Sequence, residues 1–328
     1  MGLVKSANLV ENLFDTANID QAGTRDGYGE ALVELGKVNE NVVVLCADLT
    51  ESTRSNLFQE AYPDRYIQMG VAEQNLITVG AGLAVTGKIP YMASYAAFSP
   101  GRCWEQIRTN FGYNELKGVV AGAHAGVSVG PDGPTHQAVE DLATMRTISG
   151  CTVLAPADRE RAFQATMATL NVDHLSYIRF GRDKYPMFTT KETPFEVGKA
   201  EVFYEGSDVT VVACGPLVYE ALLAANELEG EISVEVIDST TIKPLDEETI
   251  INSVKKTGAV VSAEEATVIG GLGGAVAEAL ARNYPVPMEF IGMQDIYGES
   301  GKAEELLEKF GMTSAHIIEA IRRVIKRK

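Results

Sequence analysis

Two histidines and an aspartate stand close together in the segment AHAGVSVGPDGPTHQ, residues 123–137: His124, Asp132 and His136. Two imidazoles beside a carboxylate bring three titratable groups into one place, the raw material of acid–base work. The same stretch is crowded with glycine and proline, which fix unusual backbone angles, so such a loop keeps one shape and aims its side chains. A stiff surface turn with solvated histidines fits the spacing equally well, and both readings stand at this level. Glu73 opens an apolar segment, EQNLITVGAGLAV, where a helix N-terminus alone would stabilise its charge. Tyr95 and Phe98 lie just past an apolar run, where aromatics are usually core. Arg25 and Arg179 bracket this region, with Arg54 and Arg182 near enough to take their places.

The elements that must hold these groups follow an alternating rhythm. Residues 26–38, 73–85, 101–111, 138–148 and 158–170 read as helices, with Asp26 and Ser99 as N-caps. Between them, residues 41–46, 65–68, 90–95, 117–122, 152–155 and 175–180 read as strands. Strands alternating with helices predict a mainly parallel, doubly wound α/β sheet, and ligands gather at the carboxyl ends of such strands. Residues 182–207 break the rhythm with prolines and charges and read as a linker. A second α/β unit follows, with strands at 208–214, 232–237, 259–263 and 288–291. Its helices are expected at 217–228, 246–256, 274–282 and 314–328. Two domains are therefore expected, 1–190 and 191–328. The glycine cluster at 270–274 lacks the third glycine of a dinucleotide fingerprint and reads as a tight strand-to-helix turn. His174 and Lys243 read as structural.

At 328 residues the chain can bury two cores. A net charge of -17 argues against nucleic acid or an anionic membrane as partner, and an anionic substrate would need local cations. Cys46, Cys103, Cys151 and Cys214 are scattered without a CxxC pair, as expected of buried thiols in a cytoplasmic protein. No signal peptide or membrane-spanning run is evident.

The run Asp132-Gly133-Pro134-Thr135-His136-Gln137 resembles the signature of the transketolase family, and His124 upstream tilts the likeness toward transketolase proper. The similarity covers almost the whole chain. It implies a pyrimidine-binding domain followed by a transketolase C-terminal domain, working with thiamine diphosphate on sugar phosphates. Glu73, within MGVAEQN, resembles the carboxyl group that acts at N1′ of the cofactor's aminopyrimidine, favouring its imino tautomer. Tyr95 and Phe98 would pack against that ring, and Asp48 resembles a residue near the thiazolium. Arg25, Ser52, His124 and Arg179 resemble the phosphate-binding set, while Asp132 and His136 would contact sugar hydroxyls or shuttle protons. The family's Gly-Asp-Gly motif for diphosphate and metal is missing. The chain therefore resembles the C-terminal subunit of a split transketolase, expected as an α2β2 heterotetramer whose N-terminal subunit carries Mg2+ or Ca2+. A deoxyxylulose-phosphate-synthase-like or 2-oxoacid dehydrogenase β-like subunit is the alternative within thiamine enzymes. A non-catalytic interaction subunit is the alternative outside them.

Overall fold

The computed structural model describes residues 2–328. Seven strands form the first sheet in the order Thr241–Lys243, Thr152–Leu154, Leu175–Phe180, Gly118–Ala123, Ile89–Tyr95, Val42–Cys46, Tyr66–Gln68. All neighbours are parallel except the first pair. Helices cover both faces, so Val42–Cys46, Gly118–Ala123 and Leu175–Phe180 are buried at every position. That explains continuous apolar runs in place of alternation. The two-residue period still sorts the side chains. Val42, Val44 and Cys46 meet Tyr28, Leu32 and Leu35 of helix Thr24–Val38 on one face. Val43 and Leu45 meet Leu76, Ile77 and Ala81 of helix Glu73–Val85 on the other. Each fully buried leucine contributes about 1.5–3 kcal/mol of transfer free energy.

The second sheet has five strands in the order Met288–Met293, Val260–Thr267, Val209–Ala213, Val234–Asp238, Glu201–Tyr204, the last antiparallel. The α/β class expected from the alternation is what the chain adopts. Segments cross between the two halves in both directions. Thr241–Lys243 forms an edge strand of the first sheet, while Ala7, Leu13 and Ile19 are buried in the core of the second.

Several expectations need correction. The 182–207 stretch is not merely a linker: Lys184–Pro186 pairs with Gln21–Gly23, and Glu201–Tyr204 joins the second sheet. The helix expected over 101–111 is a short turn, Trp104–Gln106, running into wider π-type turns over Ile107–Gly112. The helix expected over 138–148 spans Asp141–Arg146, because Ala138 is held in a bridge to Ala125. The helix Ala303–Lys309 was not anticipated. The glycine cluster is a strand-to-helix turn, as read, closed by Glu264 accepting from the backbone N–H of Leu272 and of Gly273. All four cysteines are buried and free.

Candidate active site

Register builds the site. Tyr95 is the last residue of its strand and lies opposite Ala123, the last of the neighbouring strand. His124 therefore emerges beside Tyr95, and the two rings stack with centroids 4.0 Å apart and planes 20° apart. His124 takes a left-handed backbone conformation, φ 55°, which costs a non-glycine residue energy and is characteristic of functional positions. Asn8, Asp48, Arg54 and Glu115 share that conformation, so it does not by itself mark the site. The loop then folds back so that His136 meets Phe98 edge-on at 5.3 Å and Tyr95 at 6.2 Å. The rings of Phe98 and Tyr95 are themselves stacked, with planes 21° apart and centroids 6.1 Å apart.

The two imidazoles are not equivalent. His124 is 2% exposed, and its Nδ1 has no hydrogen-bond partner among the described residues. Burial, then the nearby charges of Arg25 and Arg182, push its pKa down to about 3. It is neutral at pH 7, so it can serve an anion only as a hydrogen-bond donor. His136 is half-buried, with Nδ1 2.9 Å from the hydroxyl of Thr135.

Cations ring this cluster. Arg25, in the first turn of helix Thr24–Val38, donates to the carbonyl of Ser52 at 3.3 Å. Its pKa is lowered by burial and by Arg54, so the two guanidiniums are close enough to repel. Ser52 thus contributes a backbone carbonyl that orients Arg25. Arg182 donates to the carbonyl of Val129 at 2.8 Å and lies 3.4 Å from the exposed carboxylate of Asp132.

Arg179 is the main correction. It lies inside strand Leu175–Phe180, 7% exposed. Its Nε pairs with Asp141 at 3.0 Å, and its Nη atoms donate to the carbonyls of Glu265 and Ala138. Burial alone would lower its pKa, but Asp141, Tyr177 and Glu265 outweigh it and hold the guanidinium more firmly protonated than usual. Its donors are thus committed to protein groups on both sides of the domain boundary. Arg182 lies just past the strand end, beside Asp132.

Glu73 begins helix Glu73–Val85 and is 2% exposed. Its one partner among the described residues is Arg102, at 2.8 Å. The guanidinium carbon of Arg102 lies 5.2 Å from the centroid of the Phe98 ring. Glu73, Arg102, Phe98, His136, Tyr95 and His124 thus form one connected series. Asp48 sits at the end of strand Val42–Cys46, its backbone N–H bonded to Gln68 at 2.9 Å. No ring contact or ion pair ties it to that series among the described residues.

The second domain braces the loop from below. Glu265 is buried and accepts from the backbone N–H of Ser128 at 2.7 Å. Gly126 (φ 85°) is required here, since a Cβ would come within 2.3 Å of that carboxylate. Gln137 donates to the carbonyls of Val127 at 3.1 Å and Glu299 at 2.8 Å. Neither brace was foreseen, nor was Arg102. No group of three or more His, Cys, Asp or Glu is placed to hold a metal among the described residues. Among the same residues no helix is long and apolar enough to cross a membrane.

Comparison with known proteins identifies the two domains. The transketolase pyrimidine-binding domain matches residues 20–187, and the transketolase C-terminal domain matches residues 198–317. A Methanocaldococcus jannaschii protein named for a transketolase C-terminal section is 42% identical over 93% of this chain and 97% of its own length. The 6-deoxy-6-sulfo-D-fructose transketolase subunit SqwH of Clostridium sp. (strain MSTE9) is 41% identical over 94% of this chain and 97% of its own. A solved structure described as a split gene transketolase, inactive beta4 tetramer, superposes with a TM-score of 0.88 at 43% identity, covering 93% of this chain and 99% of that one. The chain belongs to the transketolase family and has the extent of its C-terminal section, a pyrimidine-binding domain followed by a transketolase C-terminal domain.

Proposed function

We propose that this chain is the pyrimidine-side subunit of a thiamine-diphosphate-dependent transketolase. In this reading it moves a two-carbon ketol unit between sugar phosphates, together with an N-terminal subunit that binds the diphosphate and its metal. The observation that carries the reading is the series linking buried Glu73, through Arg102, Phe98 and Tyr95, to His124 and His136.

The residues present fit the cofactor's pyrimidine half. A carboxyl group shielded from water and paired only with a half-exposed arginine is available to exchange a proton with a ring nitrogen. The face of Phe98 and the neighbouring Tyr95 offer aromatic packing beside it. When bound, thiamine diphosphate supplies the nucleophilic carbon that the protein's side chains cannot provide. Glu73 would hold and return the proton at N1′, and Asp48 would lie toward the thiazolium end. His136 and Asp132 would orient substrate hydroxyls, with His136 placed to pass a proton. Arg25 and Arg182 would hold the anionic end of the sugar, because guanidinium geometry suits oxyanions. Neutral His124 would add a hydrogen bond without adding charge. Those two arginines serve a sulfonate as readily as a phosphate, so sulfo-sugars are a second substrate class, favoured by the likeness to SqwH.

Purified chain should be mixed with its N-terminal subunit, Mg2+ and thiamine diphosphate, and ketol transfer from xylulose 5-phosphate to ribose 5-phosphate followed. Turnover is expected only with both subunits. Turnover by the chain alone would contradict the division of labour, and no transfer by the pair, with 6-deoxy-6-sulfofructose tried as donor too, would contradict the reaction.

A further inference from the structure

We propose that Arg102 is a placeholder for the cofactor's aminopyrimidine, covering Glu73 and the Phe98 face until the ring displaces it. The inference rests on the reading of Glu73 as the pyrimidine-facing carboxyl. A carboxylate that is 2% exposed and unpaired would be strongly disfavoured, so the cofactor-free chain needs a group to cover it. Arg102 is that group, and it makes both contacts an aminopyrimidine needs. Its N–H donates to Glu73 at 2.8 Å, and its planar guanidinium lies over the Phe98 ring at 5.2 Å.

The backbone dictates this placement. The N–H of Arg102 bonds to the carbonyl of Phe98 at 2.9 Å, setting the two side chains one turn apart on the same side. Gly101 permits the turn, since a Cβ there would come within 2.1 Å of the carbonyl of Ala97. Arg102 can also leave. Its side chain is 52% exposed, so the head group can swing into water and stay hydrated, whereas Glu73 has no such freedom. Cofactor loading is then an exchange, in which a flat N–H-bearing cation gives up its seat to a flat aromatic ring.

The test is calorimetric titration of thiamine diphosphate into the chain paired with its N-terminal subunit and Mg2+. Wild type, Arg102→Ala, Arg102→Gln and Glu73→Ala would be compared, with near-ultraviolet circular dichroism as the check on folding. Removing the competing ion pair should tighten binding by about tenfold in Arg102→Ala. Arg102→Gln, which keeps a donor but no charge, should fall between and carries the test if the alanine variant folds poorly. Glu73→Ala should weaken binding. If the Arg102 variants bind no more tightly than wild type while Glu73→Ala is weakened, the placeholder is overturned and the pyrimidine seat stands. If Glu73→Ala binds as wild type does, the reading of Glu73 itself fails.

Discussion

At the carboxyl ends of the first sheet's strands, Arg25, Arg182, Asp132 and His136 keep polar atoms within reach of solvent. At the corresponding ends of the second sheet, polar groups are closed upon one another. Glu264 lies on the backbone N–H groups of Leu272 and Gly273, both at 2.8 Å, where a helix start could otherwise receive an anion. Asp238 is buried against the Nε of Arg161 at 3.1 Å. Both sheets are mainly parallel and wrapped in helices, so topology alone does not make a site. What differs is whether charged groups at the strand ends are already satisfied. Arg179 and Arg182 repeat the contrast three residues apart: one is locked between domains, the other faces Asp132.

That contrast can be broken by substitution. The largest effect is expected at Glu73, where Gln cannot cycle a proton at N1′. Hydrogen–deuterium exchange at the thiazolium carbon of the bound cofactor, read by NMR in the assembled pair, should slow by about 10²–10⁴-fold. Wild-type exchange in Glu73→Gln would remove Glu73 from the site.

Arg179→Ala and Arg182→Ala should separate stability from substrate binding. Losing Arg179 leaves the buried Asp141 without its cation, held only by the Tyr177 hydroxyl at 2.7 Å, a loss of about 3 kcal/mol in urea unfolding. Losing Arg182 should change stability by no more than about 0.5 kcal/mol. It should instead raise KM for the sugar phosphate about tenfold to a hundredfold with little change in kcat, because a remote anion contact is alike in ground and transition states. The reverse pattern would restore Arg179 to the substrate site.

A smaller effect is expected from pH. The pKa of His124 falls from an unfolded value of about 6.5 to about 3 in the folded chain. Its neutral form therefore stabilises the fold fully above about pH 6.5, and this contribution is lost progressively as pH falls toward 3. Ring nitrogen shifts should show His124 neutral at pH 5, and His124→Gln should flatten the pH dependence of stability between pH 6 and 4. A ring already protonated at pH 5 would show that burial does not control it.

Much of this was legible in the sequence because the signals are local. Continuous apolar runs mark covered strands, and the glycine-rich loop carrying Asp132 and His136 announces its own rigidity. Arg179 and Arg182 differ in where they sit relative to the strand. Leu175–Phe180 is a fully buried strand, so a charge inside it must find an internal partner, whereas Arg182 lies beyond the strand end where ligands gather. That signal was present in the order of residues. Arg102 and Glu265 carried no such signal, since each acquires its role from contacts made across the fold. The edge strand Thr241–Lys243 was hidden because three residues are too few for a period, and its pairing partner Thr152–Leu154 lies far away in the chain.

A chain that holds one half of a cofactor site should bind the cofactor tightly only beside the other half. Thiamine diphosphate should be titrated, with Mg2+, into the chain alone, into the N-terminal subunit alone and into their equimolar mixture. Tight binding in the mixture only, with weak or undetectable binding to this chain by itself, is the predicted result. Equally tight binding to the isolated chain would mean that it holds a diphosphate and metal site of its own, and would contradict the account.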